Sequence, residues 1–255
     1  MSIDDSVKKE DLCPATGTDP DPAPVCRIVG AGEGFPAFAP LGPQAPGDLL
    51  IAADGGLTTL QRRGLAPDVL LGDFDSLGYC PDGEDVLCYP VMKDDTDMML
   101  AIRLGLEKGY RRFYLYGGTG GRLDHTLANL QALGFLAAHG AVGFLFEAQQ
   151  TLTWLQDGSA RFAPQPEGLL SVFAPGGPAR GVDLCGLQYP LQGATLSPTV
   201  PLGVSNHFTG QAATVTVRHG ALLLAWDRPC LPQVDQGTAQ PPARCPNTDP
   251  GRDSR

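Results

Sequence analysis

The chain has 255 residues, 42% of them hydrophobic and 18% charged, with a formal net charge of −10. That size and balance suit one large or two modest folded domains and argue against a wholly disordered chain. The acidic surplus argues against nucleic-acid binding through a basic face, and no apolar run approaches the roughly eighteen residues of a membrane span.

Residues 1–24 are acidic and rich in proline, with no apolar core, and are expected to form a disordered N-terminal tail rather than a secretory signal. Short apolar runs follow at Arg27–Gly30, Leu49–Ala53, Val69–Gly72, Val86–Tyr89, Arg112–Tyr116 and Val142–Phe146, and these predict strands. Helical patterns fall between them at Leu57–Arg63, Thr96–Lys108 and His125–His139. Asp95 or Thr96 is the candidate N-cap of the second helix, and Gly109 follows its end. Strands alternating with helices predict an α/β domain over residues 25–149, with a mostly parallel, Rossmann-like sheet covered by helices on both faces.

The pattern changes after Gln149. Thr151–Leu155, Leu169–Phe173, Thr214–Val217 and Leu222–Trp226 are short β-like runs separated by glycine and proline turns. They predict a smaller all-β sandwich domain over residues 150–228. Residues 229–255 lack apolar periodicity and are expected to be a disordered C-terminal tail. The seven cysteines show no Cys-x-x-Cys pair, which favours isolated thiols in a reducing compartment, and hence a cytoplasmic protein.

Three acidic motifs crowd residues 72–125. Two like charges at about 4 Å repel by roughly 4 kcal/mol at an effective dielectric of 20. A divalent metal carrying a polyphosphate would remove that penalty. In Gly72-Asp-Phe-Asp-Ser76, an extended backbone would point Asp73 and Asp75 to one side, an oxygen-rich half-site suited to Mg²⁺. The alternative is a solvated turn. In Lys93-Asp-Asp-Thr-Asp97, Asp94 and Asp97 stand three apart at a helix start, which is also ordinary capping chemistry. Lys93 adds a cation that could neutralise phosphate.

Gly117-Gly-Thr-Gly-Gly-Arg-Leu-Asp-His125 joins a strand to a helix. Its glycines let backbone N–H groups approach phosphate, Arg122 can hold phosphate bidentately, and Asn129 lies one helical turn beyond His125. It lacks the Gly-Lys-Ser/Thr of a Walker A loop. Asp54, in Ala53-Asp-Gly-Gly56, could join the acidic pocket or cap the next helix. Val29-Gly-Ala-Gly-Glu-Gly34 has Gly-x-Gly-x-Gly spacing with no helix following, and reads as a turn near a ligand rather than an NAD site.

Taken together, and with Val204-Ser-Asn-His-Phe-Thr-Gly210, these motifs resemble those of the thiamine pyrophosphokinase family, in consistent order from Val25 to Trp226. The resemblance implies an α/β catalytic domain followed by a β-sandwich, assembled as a homodimer. Thiamine would bind where one subunit's sandwich meets the other's catalytic domain. It further implies that Asp54, Asp73, Asp75 and Asp97 hold Mg²⁺, with Asp73, Asp75, Asp97 and Arg122 serving catalysis. Lys93, Asp94, Thr96, Gly118, Arg122, Asp124, His125 and Asn129 would bind ATP, and Ser205 and Asn206 would meet thiamine. The family commonly has Glu where this chain has His207, which leaves position 207 without an assigned role. A pyrophosphokinase for another alcohol, such as a hydroxymethylpterin, and a non-catalytic nucleotide or thiamine sensor are the competing expectations.

Overall fold

A computed structural model of the chain describes residues 23–35, 41, 45–72, 86–88, 95–227 and 230–237. Its first half contains β1 (Val25–Val29), β2 (Leu49–Ala53), α1 (Gly56–Arg62), β3 (Val69–Gly72), β4 (Val86–Cys88), α2 (Asp97–Glu107), β5 (Arg112–Tyr116), α3 (Leu123–Ala138) and β6 (Val142–Phe146). Each lies close to a run predicted from sequence.

The six strands pair in parallel in the order β6-β5-β1-β2-β3-β4. Parallel pairing requires crossovers; α1 lies in the one from β2 to β3, α2 in the one from β4 to β5 and α3 in the one from β5 to β6. In β2, Leu49, Ile51 and Ala53 pack with residues of α2 and α3, while Leu50 and Ala52 share the opposite core with Leu60 of α1. Helices thus cover both faces, and the continuous apolar character of β1, β2 and β3 follows from their burial on both sides.

The second half is β-structure: β7 (Thr151–Gln156), β8 (Ser159–Phe162), β9 (Leu169–Phe173), β10 (Ala179–Cys185), β11 (Leu191–Leu196), β12 (Gly203–His207), β13 (Ala213–Thr216), β14 (Ala221–Trp226) and β15 (Gln233–Asp235). A tight turn, in which Glu147 N donates to Gln150 O at 2.8 Å, folds β7 back onto β6. The sheet therefore continues, now antiparallel, through β14 and β9 to β12. One mixed ten-stranded sheet results, in the order β12-β9-β14-β7-β6-β5-β1-β2-β3-β4. The remaining strands form a five-stranded antiparallel sheet, β11-β10-β13-β8-β15.

The expectation of a mostly parallel sheet followed by a sandwich is corrected on this point. The large sheet is mixed, and its antiparallel end serves as one layer of the sandwich. Trp226 joins the layers, its ring edge-on to both Phe144 and Phe162 and wholly buried. Burial of one such aromatic stabilises by about 1.5–3 kcal/mol.

Residues 230–237, which the sequence assigns to a tail, are folded. β15 pairs with β8, and Asp235 forms an ion pair with Arg161. Gln236 Nε2 donates to the carbonyls of Ala141 (3.2 Å) and Trp154 (3.1 Å), and its Oε1 accepts from Gln156 N at 3.3 Å. Cys185 and Cys230 are both disulfide-bonded, contrary to the expectation of isolated thiols. Cys26 is a free thiol buried beneath α2, and burial pushes it up to about 12.

A buried ion pair anchors the start of the parallel sheet. Arg27 on β1 contacts Asp48, just before β2, at 2.5 Å, and both side chains are almost fully enclosed. Asp48 also accepts from the backbone N–H groups of Val25 (2.8 Å) and Ala45 (3.0 Å).

Candidate active site

From β1 the chain passes to β2 on one side, while β5 pairs on the other. The order in which strands are added thus reverses at β1, with β2 to β4 on one side and β5 and β6 on the other. Open α/β sheets bind ligands at such a crevice. Here it is a cleft of about 610 Å³ at the carboxyl ends of β1, β2 and β5.

Its floor is made by two glycine-rich segments laid side by side. Gly30 N donates to Tyr116 O and Gly32 N to Gly117 O, each at 2.8 Å, and Gly34 N to Thr119 O at 3.3 Å. A Cβ at Gly32 would overlap the carbonyls of Gly117 and Thr119, and one at Gly34 would overlap the Thr119 hydroxyl. The Gly-x-Gly-x-Gly spacing is explained by this close approach.

Asp54 enters from the end of β2. Its backbone is left-handed, with φ of 46°, and its N–H donates to Leu71 O at 2.8 Å. A non-glycine residue in this region carries strain of about 1–3 kcal/mol, which surrounding structure must hold in place. The consequence is a carboxylate-bearing residue on the cleft wall.

The start of α2 forms a second wall. Thr96 is its N-cap, with Oγ1 accepting from Met99 N at 3.2 Å, and Asp97 is its first residue. Both line the cleft. Asp95 lines it too, and pairs with Arg103 of α2 at 2.7 Å.

The start of α3 forms the third wall, where Arg122, His125 and Asn129 line the cleft beside Gly118. Asn129 is buried, and its Nδ2 donates to Gly118 O at 2.8 Å, which fixes the glycine loop. Arg122 grips Asp124 with two nitrogens, Nη2 at 2.5 Å and Nε at 3.2 Å, in an exposed pair. That hydrogen bond raises Arg122 and holds the Asp124 carboxyl below its ordinary value.

The structure therefore brings Asp54, Thr96, Asp97, Gly118, Arg122, His125 and Asn129 into one cleft, with Asp124 beside it. Asp73, Asp75, Lys93 and Asp94 lie outside the described residues. Ser205 and Asn206 lie elsewhere, on β12 at the far edge of the large sheet. Six strand spacings separate β12 from β1, about 29 Å. The Asn206 side chain braces the loop between β10 and β11: Nδ2 donates to Tyr189 O at 2.8 Å and Oδ1 accepts from Tyr189 N at 2.9 Å.

The sequence did not single out Asp95, Met98 or Thr119 as cleft residues. Thr119 stood inside a recognised motif, and the missed signal was its place between glycines.

Among the described residues, no group of three or more His, Cys, Asp or Glu side chains is arranged to hold a metal ion. Asp54 and Asp97 supply two hard carboxylate donors to the cleft, a donor type that suits Mg²⁺.

Residues 45–141 match the family model described as thiamin pyrophosphokinase, catalytic domain, and residues 162–222 match the one described as thiamin pyrophosphokinase, vitamin B1 binding domain. The chain belongs to the thiamin pyrophosphokinase family. This is a family of diphosphotransferases, and the cleft walls formed by Asp54, Asp97, Arg122 and Asn129 all fall within its catalytic module. A thiamine pyrophosphokinase of Bacillus subtilis is 27% identical over 183 residues, 69% of this chain and 86% of that protein. The crystal structure of a Geobacillus thermodenitrificans thiamin pyrophosphokinase is 26% identical, with a TM-score of 0.67 over 81% of this chain and all of that one. The Candida albicans enzyme shares the fold at 14% identity, with a TM-score of 0.61 over 80% of this chain and 90% of that one. The glycine segment at residues 30–34 and the folded residues 230–237 lie outside both matched modules.

Proposed function

We propose that this chain is a thiamine pyrophosphokinase, transferring the pyrophosphoryl group of Mg·ATP to the thiamine hydroxyl to give thiamine diphosphate and AMP. The observation that carries this reading is the convergence of Asp54, Asp97, Arg122 and His125, from three separate sequence motifs, on one cleft within the matched catalytic module.

In this reading the cleft holds the nucleotide. Transfer of a phosphoryl unit needs alignment and charge neutralisation more than covalent help from the protein. The hydroxyl oxygen of thiamine forms a bond to the β-phosphorus, the bond from that phosphorus to the αβ-bridging oxygen breaks, and AMP departs with that oxygen. The hydroxyl proton passes to a carboxylate of the site. Bound Mg²⁺ would neutralise the polyphosphate, with Asp54 and Asp97 among its ligands, joined by Asp73 and Asp75. Arg122 and Lys93 would bind phosphate oxygens, while Asp94, Thr96, Asp124 and His125 orient the nucleotide. Asn129 acts through Gly118, holding the loop that meets the phosphates.

Thiamine is assigned to the module that carries Ser205 and Asn206. Because these lie so far from their own cleft, a second copy of the chain would supply them, giving a homodimer with sites between subunits. Leu123 and Leu127 beside the cleft, and Tyr189, Leu202 and Val204 around β12, are exposed apolar side chains suited to such a contact. A cytoplasmic location, where ATP is available, completes the reading. The disulfide-bonded Cys185 and Cys230 are the feature that sits against a reducing compartment.

The test is product analysis. Purified protein given thiamine and Mg·ATP should release AMP and thiamine diphosphate in equal amounts. ADP as the product, or AMP only when a hydroxymethylpterin replaces thiamine, would overturn the assignment. Light scattering of the same sample reads the dimer.

A further inference from the structure

We propose that Thr119 is a nucleotide-binding residue of the cleft, its hydroxyl turning from the glycine segment at residues 30–34 onto a phosphate oxygen of the bound nucleotide. The proposal rests on the reading of the cleft as the ATP site.

Thr119 lines the cleft, yet it is only 8% exposed, and its Oγ1 has no hydrogen-bond partner. Buried hydroxyls are normally paired, so an orphan of this kind calls for a ligand or another cause. The surroundings favour an anion. The backbone N–H groups of Gly118, Thr119, Gly120 and Gly121 donate to no protein acceptor among the described residues. They precede the N-terminus of the sixteen-residue α3, where the aligned peptide dipoles favour negative charge. A hydroxyl donor among free N–H donors suits a phosphate oxygen, which accepts from several donors at once.

The proposal requires the hydroxyl to turn from its present direction. Oγ1 faces Gly34, where any side chain would overlap it. Turning χ1 by about 120°, one staggered well to the next, exchanges the hydroxyl with the methyl group or hydrogen on Cβ. In the proposed bound state the hydroxyl occupies a well that faces the cleft, with the backbone unmoved. A valine fills the same space and lacks only the donor.

The experiment is calorimetric titration of the full chain with ATP, in the presence of Mg²⁺, and separately with adenosine, which has no phosphate. Thr119→Val should weaken ATP binding about tenfold or more, leave adenosine binding unchanged, and keep the thermal midpoint of the wild type. Thr119→Ser should restore ATP affinity. Should the valine variant fail to fold, Thr119→Ala carries the same expectation. ATP affinity equal to wild type in the valine or alanine variant overturns the proposal. So does an equal loss for ATP and adenosine, or a failure of serine to rescue. Binding is read without turnover, so the two readings separate. A wild type that shows the ATP pattern but makes no AMP from thiamine sinks the reaction while Thr119 stands. A wild type that makes AMP but is indifferent to Thr119→Val does the reverse, and one that binds no ATP overturns both.

Discussion

Replacing Asp48 by alanine removes the carboxylate partner of a buried cation, leaving Arg27 with neutral neighbours such as the Tyr116 side chain and the face of the Tyr114 ring. Arg27 is 3% exposed, its Nε has no hydrogen-bond partner, and its Nη1 lies 2.5 Å from Asp48. Breaking a buried ion pair from one side leaves an uncompensated charge and costs about 3–5 kcal/mol. Loss of the acceptor for Val25 N and Ala45 N acts in the same direction. At about 2–4 °C per kcal/mol for a domain of this size, the thermal midpoint should fall by roughly 6–20 °C. Urea unfolding followed by tryptophan fluorescence measures the free energy directly. The double variant Arg27→Met/Asp48→Ala should lose less than Asp48→Ala alone, because no buried charge remains. ATP affinity of the folded single variant should match wild type, since Asp48 and Asp54 stand at opposite ends of β2, about 20 Å apart. A loss below about 1 kcal/mol for Asp48→Ala, or a double variant less stable than the single, would refute the reasoning.

Asp97→Asn should lower AMP release by at least about 10²-fold with the fold intact by circular dichroism, and activity near wild type would remove Asp97 from the reaction. In a carbon-13 titration of carboxyl groups, Asp124 should protonate below the ordinary carboxylate range, because the Arg122 fork favours its charged form. Its folded-state pKa is depressed, so the pairing contributes above the ordinary carboxylate value and is lost as pH falls through the folded value. Arg122→Gln should return Asp124 to the ordinary range, and no change there would disprove the pairing. Gln236→Ala should destabilise the protein by about 1–3 kcal/mol in urea, because it leaves Gln156 N and two carbonyls without their partner. A midpoint equal to wild type would show that residues 230–237 do not brace the two sheets.

What the sequence made legible follows from burial. The strands of the parallel half are covered on both faces, so Leu49–Ala53 and Val142–Phe146 appear as unbroken apolar runs. β10 and β11 escaped notice because irregular pairing breaks the two-residue alternation, at Gly181 in β10 and again before Leu184. β15 is three residues long and half exposed, so its place against β8 rests on long-range pairing and on Gln236, neither of which leaves a local pattern. At the site, the motif residues were visible because charge beside glycine is chemically unusual. Asp95 and Thr119 were not, since one is spoken for by Arg103 and the other becomes conspicuous only when its buried hydroxyl is seen to lack a partner.

The continuity of the large sheet constrains how its two ends can cooperate. Between β1 and β12 every neighbouring pair is hydrogen-bonded, including β6 to β7, where the parallel half meets the antiparallel half. Thr153 Oγ1 adds a bond to Gly143 O at 2.7 Å across that seam, and α3 packs over both strands. A hinge closing β12 onto the cleft would have to break one of these ladders, each strand pair giving up several hydrogen bonds of about 0.5–1.5 kcal/mol net. Twist alone, about 20–25° per strand, bends the sheet but keeps its edges apart. In the proposed homodimer Ser205 meets the acceptor in the cleft of the other copy, and dilution to the monomer should abolish turnover while leaving ATP binding in place.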